Sequence, residues 1–254
     1  MIGTSEQITP TKDHDHILSK FIFLDETNGQ EYVEYIEPLV SHLRFALAKC
    51  LATDTAEHKN QFTTFHGWLI PPPPDISRNR ALYFDVGSSS WNSLAAGGPA
   101  LKYFSSVWSR QSIDFDEIYA FDSRITVDTF YQEFPSHMHI TASVHYQQCA
   151  VSGPPGNDQH PFVPNLIHRV AEPDDYVLFK LDTDSPAVER DIIEFILHDA
   201  DSRITELVWE HHISGNYLME EWGKPENRDQ ASLHDSYDYF LRLRRKGIRA
   251  HSWV

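Results

Sequence analysis

Three apolar runs of this sequence each end in acidic residues. ALYFDV contains Asp85, EIYAFD ends at Asp122, and YVLFKLD ends at Asp182, with Asp184 two residues later. Short apolar runs of this kind predict buried strands, so the acids would lie at the same edge of one parallel sheet. In open α/β sheets the ligand crevice lies outside these carboxyl ends. The pattern therefore predicts a carboxylate-rich site that binds a nucleotide-like ligand.

The turn after the first run, DVGSSS, has the composition of a ligand-binding loop. Gly87 permits a tight turn and a close approach of backbone N–H groups to a ligand, while Ser88 and Ser89 add small hydroxyl groups. The second and third glycines of the GxGxxG fingerprint are absent, so a dinucleotide is poorly supported. At the next turn, Asp122 before Ser123 can accept hydrogen bonds from both hydroxyls of a ribose. The competing interpretation is that the acids only cap turns and helices.

More ionisable residues follow a later apolar run, ITELVW. Glu210, His211 and His212 would lie at its carboxyl end, where a neutral histidine suits proton abstraction near neutral pH. An oxygen and nitrogen set for a divalent metal would comprise Asp182, Asp184, Glu210 and His211. Adjacent strand residues point to opposite faces, so only one of the two histidines is expected to reach the crevice. A purely structural role for the histidines is an equal alternative.

The composition describes an acidic, enzyme-sized chain. Its 254 residues are 41% apolar and 13% aromatic, enough to fill a sizeable core. With 37 acidic and 21 basic residues, the formal charge of −16 would repel a nucleic-acid backbone or an anionic membrane surface. No apolar stretch approaches the roughly 20 residues of a spanning helix, and the first residues lack the pattern of a secretion signal. We therefore expect a cytoplasmic protein without nucleic-acid or membrane partners.

The elements that position these residues alternate between strand and helix. Strands are predicted at 82–86, 117–121, 145–151, 176–181, 204–209 and in the last seven residues. Helices are predicted at 99–109, 125–134, 186–197 and 232–246, with a loop rich in Pro and Asn before residue 176. This alternation predicts βαβ units, and hence an α/β fold with a doubly wound, mainly parallel sheet.

The N-terminal part follows a different pattern. Its first 15 or so residues are polar and without an apolar period, which is typical of a mobile tail. From Tyr32 to Leu51 apolar residues recur four apart, as on one face of a helix, and the later PPPPD segment excludes helix and central strand. The expected division is a mobile tail at 1–20, a helical cap at 21–75 and a Rossmann-like domain at 76–254.

The motifs together resemble a known family. The succession FDVGSS, IYAFDS, CAVSG and FKLDTDSPAVE, roughly residues 80 to 212, is similar to the FkbM-type branch of class I S-adenosylmethionine-dependent methyltransferases. This resemblance implies S-adenosylmethionine as cofactor and methyl transfer to a small-molecule acceptor, with oxygen as the expected methylated atom. The cofactor-binding residues would be Asp85, Gly87, Ser88 and Ser89 for methionine, Asp122 and Ser123 for ribose, and Ala150 and Val151 near adenine. Asp182 would lie beside the reacting methyl group, in a catalytic set completed by Asp184, Glu210 and His211.

Two other functions fit part of the pattern. DTDS after an apolar strand matches the DxD motif with which many glycosyltransferases bind a metal and a nucleotide sugar, here through Asp182 and Asp184. A non-catalytic nucleotide-binding protein is the third interpretation, because fold does not determine function. Methyl transfer is preferred because DVGSSS and the acid after the second strand suit S-adenosylmethionine better than a uridine diphosphate.

Overall fold

The computed structural model of the chain describes residues 3–6, 19–24, 29–37, 69–73, 78–93, 99–212 and 231–253. These residues contain two sheets. The first is antiparallel and consists, in spatial order, of β1 (Gly3–Glu6), β2 (Ser19–Leu24) and β3 (Glu31–Ile36). The strands of the second are β4 (Ala81–Val86), β5 (Glu117–Phe121), β6 (Ser143–Gln147), β7 (Tyr176–Leu181), β8 (Glu206–Trp209) and β9 (Arg249–Ser252). This second sheet is parallel throughout.

Six helices occur in the same ranges. They are α1 (Ala100–Ser109), α2 (Val127–Glu133), α3 (Met138–Thr141), α4 (Val163–Val170), α5 (Pro186–His198) and α6 (Leu233–Arg245). Pro186 occupies the first turn of α5, where its missing N–H costs no hydrogen bond. A capping box between Ser232 and Asp235 begins α6. No helix in the described ranges combines the length and apolar character that crossing a bilayer requires.

The parallel sheet is doubly wound. Its spatial order is β6–β5–β4–β7–β8–β9, so the chain moves outward from β4 to β6 and then returns past β4 to build the other half. Buried apolar residues of α1 and α2 pack on one face, and those of α4, α5 and α6 pack on the other. This is the Rossmann strand order, with its reversal between β4 and β7. The expected α/β fold with a doubly wound, mainly parallel sheet is confirmed.

The two central strands are buried along their whole length. Every residue of β4 and β7 is buried, as expected for parallel strands covered by helices on both sides. Alternate residues face opposite layers: Phe84 joins the core under α4 to α6, whereas Tyr83 joins the core under α1. Asp85 and Lys180 are Cα partners in the register of these strands. The strands therefore place an acid and a base side by side on the α1 face.

Part of the N-terminal prediction is wrong. Gly3–Glu6, expected in the mobile tail, forms β1, and the predicted helix from Tyr32 begins instead as strand β3. The segment EYVEYI consists of aromatic, β-branched and glutamate residues, and its pairing with β2 selects an extended strand over the helix that the four-residue spacing predicts. Residues 38–68 lie outside the described part of the chain. The domain boundaries stay a prediction.

Two elements of the parallel half also differ from expectation. β6 ends at Gln147, so Ala150 and Val151 belong to the following loop and not to the strand. The segment predicted as a loop before β7 contains α4, in which Pro164 lies in the first turn and buried Val163 and Ile167 face the sheet. Proline at this position starts a helix as readily as it marks a loop, so composition alone did not separate the two.

A buried charge network attaches the antiparallel sheet to the amino end of β8 and β9. His251 lies between two carboxylates, with Nδ1 2.8 Å from Glu37 Oε1 and Nε2 2.5 Å from Glu206 Oε1. Arg249 Nη1 donates to Glu34 Oε2 at 3.1 Å. These contacts lie at the end of the sheet opposite the predicted ligand crevice, so they serve the fold and not the site.

Candidate functional site

The carboxyl edge of the parallel sheet gathers acids from four neighbouring strands, β5, β4, β7 and β8. Asp122 follows β5, Asp182 and Asp184 follow β7, and Glu210 follows β8. Asp85 lies one residue earlier, inside β4. β4 and β7 meet where the winding of the sheet reverses, which is where open α/β sheets form their ligand crevice. The predicted convergence of these strand ends is therefore present.

Lys180 stands at the centre of this edge. Its side chain is 2% exposed, and its Nζ lies 2.9 Å from Asp182 Oδ2 and 3.5 Å from Asp85 Oδ1. Nζ also donates to the carbonyl oxygen of Gly87 at 2.8 Å. Burial alone would lower the pKa of the Lys180 ammonium, but the charges of Asp182 and Asp85 outweigh burial and raise this pKa. Lys180 therefore remains charged and joins the ends of β4 and β7.

Asp182 and Glu210 form a carboxylate pair across the ends of β7 and β8. Burial, then the charge of Asp182 and a hydrogen bond to it, raise the pKa of Glu210 well above its usual range. Burial also acts to raise the pKa of Asp182, but Lys180 and the hydrogen bond from Glu210 outweigh it and lower that pKa. The opposite directions of the two shifts make Glu210 the donor and Asp182 the acceptor of the hydrogen bond between them.

A second cluster lies beside this pair and contains Asp184, Glu210 and His212. His212 Nε2 lies 3.8 Å from Asp184 Oδ1 and 3.9 Å from Glu210 Oε1. Glu210 and His212 are buried, and within the described residues neither Glu210 Oε1 nor His212 Nε2 has a hydrogen-bond partner. Asp184 is partly exposed and has φ 56°, a left-handed conformation that is uncommon for residues other than glycine. One ligand atom of each residue lies within 4.8 Å of the others, so the three side chains could hold a metal ion.

Glu189, in the first turn of α5, fixes the other side of the His212 ring. Its Oε2 lies 3.5 Å from His212 Nδ1 and accepts a hydrogen bond from Trp209 Nε1 at 3.2 Å. Its Oε1 accepts from Thr183 N at 2.8 Å and Thr183 Oγ1 at 3.0 Å. Burial would lower the pKa of His212, but Glu189 and the surrounding aspartates outweigh burial and raise it. The imidazole therefore turns Nδ1 towards Glu189 and Nε2 towards the cluster.

His211, the histidine predicted to be catalytic, points away from the crevice. Its ring stacks on Trp209 with centroids 4.1 Å apart, and its Nδ1 lies 2.9 Å from Ser236 Oγ in α6. Trp209 and His211 are two residues apart and share the α6 side of β8, whereas the neighbouring residues face the crevice. Of the predicted set, Asp184 and Glu210 lie together with His212, Asp182 pairs with Glu210, and His211 lies on the other face of β8. The catalytic role of these residues stays a prediction.

The DVGSSS loop is held mainly by contacts within the fold. The N–H groups of Gly87 and Ser88 both donate to the carbonyl of Phe121 at 2.9 Å, so these two amides do not await a ligand as expected. A Cβ on Gly87 would lie 1.4 Å from the carbonyl oxygen of Asp182, so glycine is required for packing against the end of β7. Burial raises the pKa of Asp85 against the opposing effects of Lys180 and Ser88. Asp85 lies beneath the crevice, because it is fully buried.

Asp122 has one carboxylate oxygen engaged in a turn. Its Oδ1 accepts from Arg124 N at 2.6 Å and Ile125 N at 3.0 Å, which is the capping role considered as an alternative. Its Oδ2 lies 3.7 Å from one guanidinium nitrogen of Arg124, whose other terminal nitrogen lies 3.7 Å from Asp184 Oδ2. The guanidinium of Arg124, whose side chain is 73% exposed, therefore lies between Asp122 and Asp184 on the solvent side. Asp122 and Asp184 therefore border the same space.

The other predicted cofactor residues lie in the loops around this space. Ser88 is buried, Ser89 is half-buried, and Ser123 beside Asp122 is exposed. In the loop after β6, Val151 is buried and Ala150 is exposed, with the Ala150 carbonyl oxygen 3.1 Å from His160 Nδ1. Whether these residues contact a cofactor stays a prediction.

Three residues of the site were missed or passed over in the sequence. Lys180 lies inside an apolar strand and was treated as part of it. A lysine within a buried strand nevertheless predicts an ion pair, because a buried ammonium needs a charged partner. Glu189 sits among helix-forming residues, and only its position one turn after DTDS connects it with the site. Arg124 follows the ribose-type acid but carries no pattern of its own. No protein-family model, curated protein or solved structure matches the chain.

Proposed function

We propose that the chain is an S-adenosylmethionine-dependent methyltransferase that acts on a small-molecule acceptor through oxygen. The observation that carries the proposal is the cluster of acids at the winding reversal between β4 and β7, where open α/β sheets bind their ligands: Asp122, Asp182, Asp184 and Glu210. S-adenosylmethionine carries a positive sulfonium, and ionised carboxylates around a crevice favour a cationic ligand. The proposal includes the cytoplasmic location expected from the sequence.

The residues at this edge suit the ribose of S-adenosylmethionine better than its methionine part. Asp122 Oδ2 is not used by the turn and would accept a hydrogen bond from a ribose hydroxyl once Arg124 moved aside. For the methionine end, the amides of Gly87 and Ser88 are occupied, so side chains such as Ser89 would have to supply the contacts. When bound, the cofactor supplies an activated methyl group. The fit thus rests on the ribose side and on the charge of the crevice.

The Asp182–Glu210 pair supplies the chemistry that the chain itself would contribute. An acceptor hydroxyl must lose its proton as its oxygen bonds to the methyl carbon, while the carbon–sulfur bond breaks and its electron pair stays on sulfur. Asp182 is ionised, partly exposed and held by Lys180, so it would orient that hydroxyl by accepting its hydrogen bond. Its lowered pKa makes it a weak base, so it would receive the proton once the bond to the methyl carbon has made the oxygen strongly acidic. Glu210 donates a hydrogen bond to Asp182 and keeps it in place. Alignment of the acceptor with the methyl group is the remaining demand.

The geometry favours this reading over a DxD glycosyltransferase. In the DxD interpretation Asp182 and Asp184 would hold one metal together. Asp182 is instead 2.9 Å from the Lys180 ammonium, and only Asp184 faces the His212 cluster. A nucleotide-sugar diphosphate is also anionic and would meet several carboxylates in this crevice.

Titration calorimetry with S-adenosylhomocysteine, in the presence of a metal chelator, tests the proposal. We expect binding by the wild type and weaker binding by Asp122→Asn, by about 1 to 3 kcal/mol, because the amide keeps the turn but loses the charged acceptor. Asp128→Asn, an exposed acid in the first turn of α2, is the matched control and should bind like the wild type. Transfer of a labelled methyl group to a panel of small hydroxyl compounds then tests catalysis.

The other outcomes separate the alternatives. Binding of a nucleotide sugar only with manganese, without binding of S-adenosylhomocysteine, would replace the proposal with the glycosyltransferase. Binding of S-adenosylhomocysteine without methyl transfer to any acceptor would leave a non-catalytic nucleotide-binding protein.

A further inference from the structure

We propose that Asp184, Glu210 and His212 bind a divalent first-row transition-metal ion, and that Glu189 is the positioning residue for the histidine ligand. The site differs from the set expected from the sequence, which included His211 and Asp182. It goes beyond the proposed function, because metal binding does not depend on methyl transfer.

Two neighbouring polar atoms of this cluster lack hydrogen-bond partners in the described part of the chain. Within the described residues, Glu210 Oε1 and His212 Nε2 are buried and lack hydrogen-bond partners, although they lie 3.9 Å from each other. Buried polar atoms in folded proteins nearly always have a hydrogen-bond or metal partner. Two neighbouring atoms without one therefore indicate a ligand that binds between them. Asp184 Oδ1, 3.8 Å from His212 Nε2, completes a triangle around that point. A cation bound there would satisfy all three side chains at once, and it would displace the proton that Glu210 otherwise shares with Asp182.

Glu189 lies behind the His212 ring, on the side away from the cluster. Histidines that bind metals commonly present their second ring nitrogen to a carboxylate, which fixes the ring and the tautomer. Glu189 Oε2 lies on this side at 3.5 Å from Nδ1, an ion-pair contact that is too long or misaligned for a hydrogen bond, and Glu189 is itself held by Thr183 and Trp209. Three hydrogen bonds to one fully buried carboxylate leave it little freedom. In the metal-free protein the ring is therefore already oriented with Nε2 towards the cluster.

The ligand types indicate the class of ion. Two carboxylates alone would suit Mg²⁺ or Ca²⁺, but an imidazole favours Mn²⁺, Fe²⁺ or Zn²⁺ over both. The side chain of Asp184 is 26% exposed, so the site borders the crevice and leaves coordination positions for water or substrate. For the methyl transfer proposed above, on which this role rests, the ion would add Lewis acidity beside the acceptor oxygen.

Arg124 gives the proposal a directional test. Its guanidinium lies 3.7 Å from Asp184 Oδ2, so it competes with a cation for the same carboxylate. Because Arg124 is exposed, the competition is weak and screened. Arg124→Ala is expected to tighten metal binding by about two- to fivefold. Replacing an arginine that does not contact the cluster should leave the metal affinity unchanged.

The experiment is calorimetric titration of the metal-free full-length chain with MnCl₂, without cofactor or acceptor. We expect one Mn²⁺ per chain and a loss of at least about tenfold in affinity for His212→Ala and Glu210→Gln, and of about 10- to 100-fold for Glu189→Gln. Glutamine has the shape of a protonated glutamate, so Glu210→Gln is the variant least expected to disturb folding. His168→Ala, which removes a histidine 2.7 Å from Asp199 outside this site, is the matched control and should bind like the wild type.

Three results would overturn the site: no Mn²⁺ binding by the wild type, equal binding by folded Glu210→Gln and the wild type, or tighter binding of Mg²⁺ or Ca²⁺ than of Mn²⁺. Circular dichroism of each variant establishes that it is folded. S-adenosylhomocysteine binding is measured on the same proteins with chelator. Loss of metal binding with retained S-adenosylhomocysteine binding separates this proposal from the proposed function.

Discussion

Lys180 Nζ lies 2.9 Å from Asp182 Oδ2, with both side chains at the junction of β4 and β7. The same ammonium is 3.5 Å from the fully buried Asp85. One cation thus neutralises acids from both halves of the doubly wound sheet. The buried ammonium therefore offsets part of the negative charge at this edge of the sheet.

Replacement of this cation should therefore destabilise the fold strongly. Lys180→Met leaves Asp85 and Asp182 without their partner and is expected to lower the free energy of unfolding by about 3 to 5 kcal/mol. Urea denaturation measures the change. Lys102→Met, an exposed lysine on α1, is the control and should stay within about 0.5 kcal/mol of the wild type. The double variant Lys180→Met with Asp85→Asn should recover part of the loss, and no recovery would argue against the pairing.

Gly87 should tolerate no side chain, for reasons of space. Gly87 and Gly29 have similar positive φ values, 75° and 69°, but a Cβ would meet the Asp182 carbonyl at 1.4 Å at Gly87 and nothing within 4 Å at Gly29. We expect Gly29→Ala to cost about 1 to 2 kcal/mol from backbone strain alone. Gly87→Ala should cost about 3 kcal/mol or more, because overpacking adds to that strain. Equal losses in denaturation would show that contact with β7 is unimportant.

The capping contacts of Asp122 should separate its structural role from its binding role. Asp122→Ala removes the acceptor for two backbone N–H groups and is expected to lower the free energy of unfolding by about 0.5 to 2 kcal/mol. Asp122→Asn keeps an oxygen for those groups and should stay close to the wild type in the same measurement. Equal destabilisation by both variants would indicate that charge, and not the turn, is what matters at this position.

The comparison of sequence and structure shows where sequence patterns suffice. β4, β5 and β7 were predicted nearly residue for residue, because parallel strands covered on both faces must be apolar runs of about five residues. The fold class and the edge that holds the acids followed from these runs. β3 was missed because Tyr35 fits a four-residue spacing that continues in the sequence at Leu39 and Leu43, and only pairing with β2, which is not local in the sequence, selects a strand.

The details of the site depend on contacts that no local pattern encodes. Whether His211 or His212 enters the crevice is decided by which face of β8 Trp209 occupies, and a shift of one residue exchanges them. The pairing of His212 with Glu189 joins residues 23 positions apart across α5, which the spacing of sequence motifs does not reveal. Asp182 and Asp184 were recognised because they follow a strand end, although they turned out to serve different clusters.

The network around His251 should give stability a characteristic dependence on pH. Burial acts to lower the pKa of His251, but Glu37 and Glu206 outweigh burial and raise this pKa above 6.5. The contribution of His251 to the free energy of unfolding is therefore fully present below pH 6.5 and is lost as the pH rises through the folded-state pKa. The pKa of Glu37 and of Glu206 is lowered below 4.5, against burial, mainly by His251, so their contribution is present above 4.5 and lost on acidification. The network therefore stabilises most between these two values.

Thermal unfolding across this range tests the network. The difference in stability between the wild type and His251→Gln should be largest at about pH 6 and shrink towards alkaline pH. His198→Gln removes an exposed histidine of α5 and should give a small difference that hardly varies with pH. A difference for His251→Gln that grows above neutral pH would contradict the assigned direction of the pKa shift.

The contact between Glu189 and His212 should be visible in the titration of the imidazole. Burial acts to lower the pKa of His212, and Glu189 makes the largest opposing contribution, so Glu189→Gln should lower this pKa in the metal-free protein. Glu194→Gln is the matched control, because this glutamate of the same helix faces His198 and should leave the His212 titration unchanged. NMR titration of the histidine ring protons, with chelator present, measures both variants. An unaltered His212 pKa in folded Glu189→Gln would mean that Glu189 does not hold the ring, and the preset orientation of Nε2 would then need another cause.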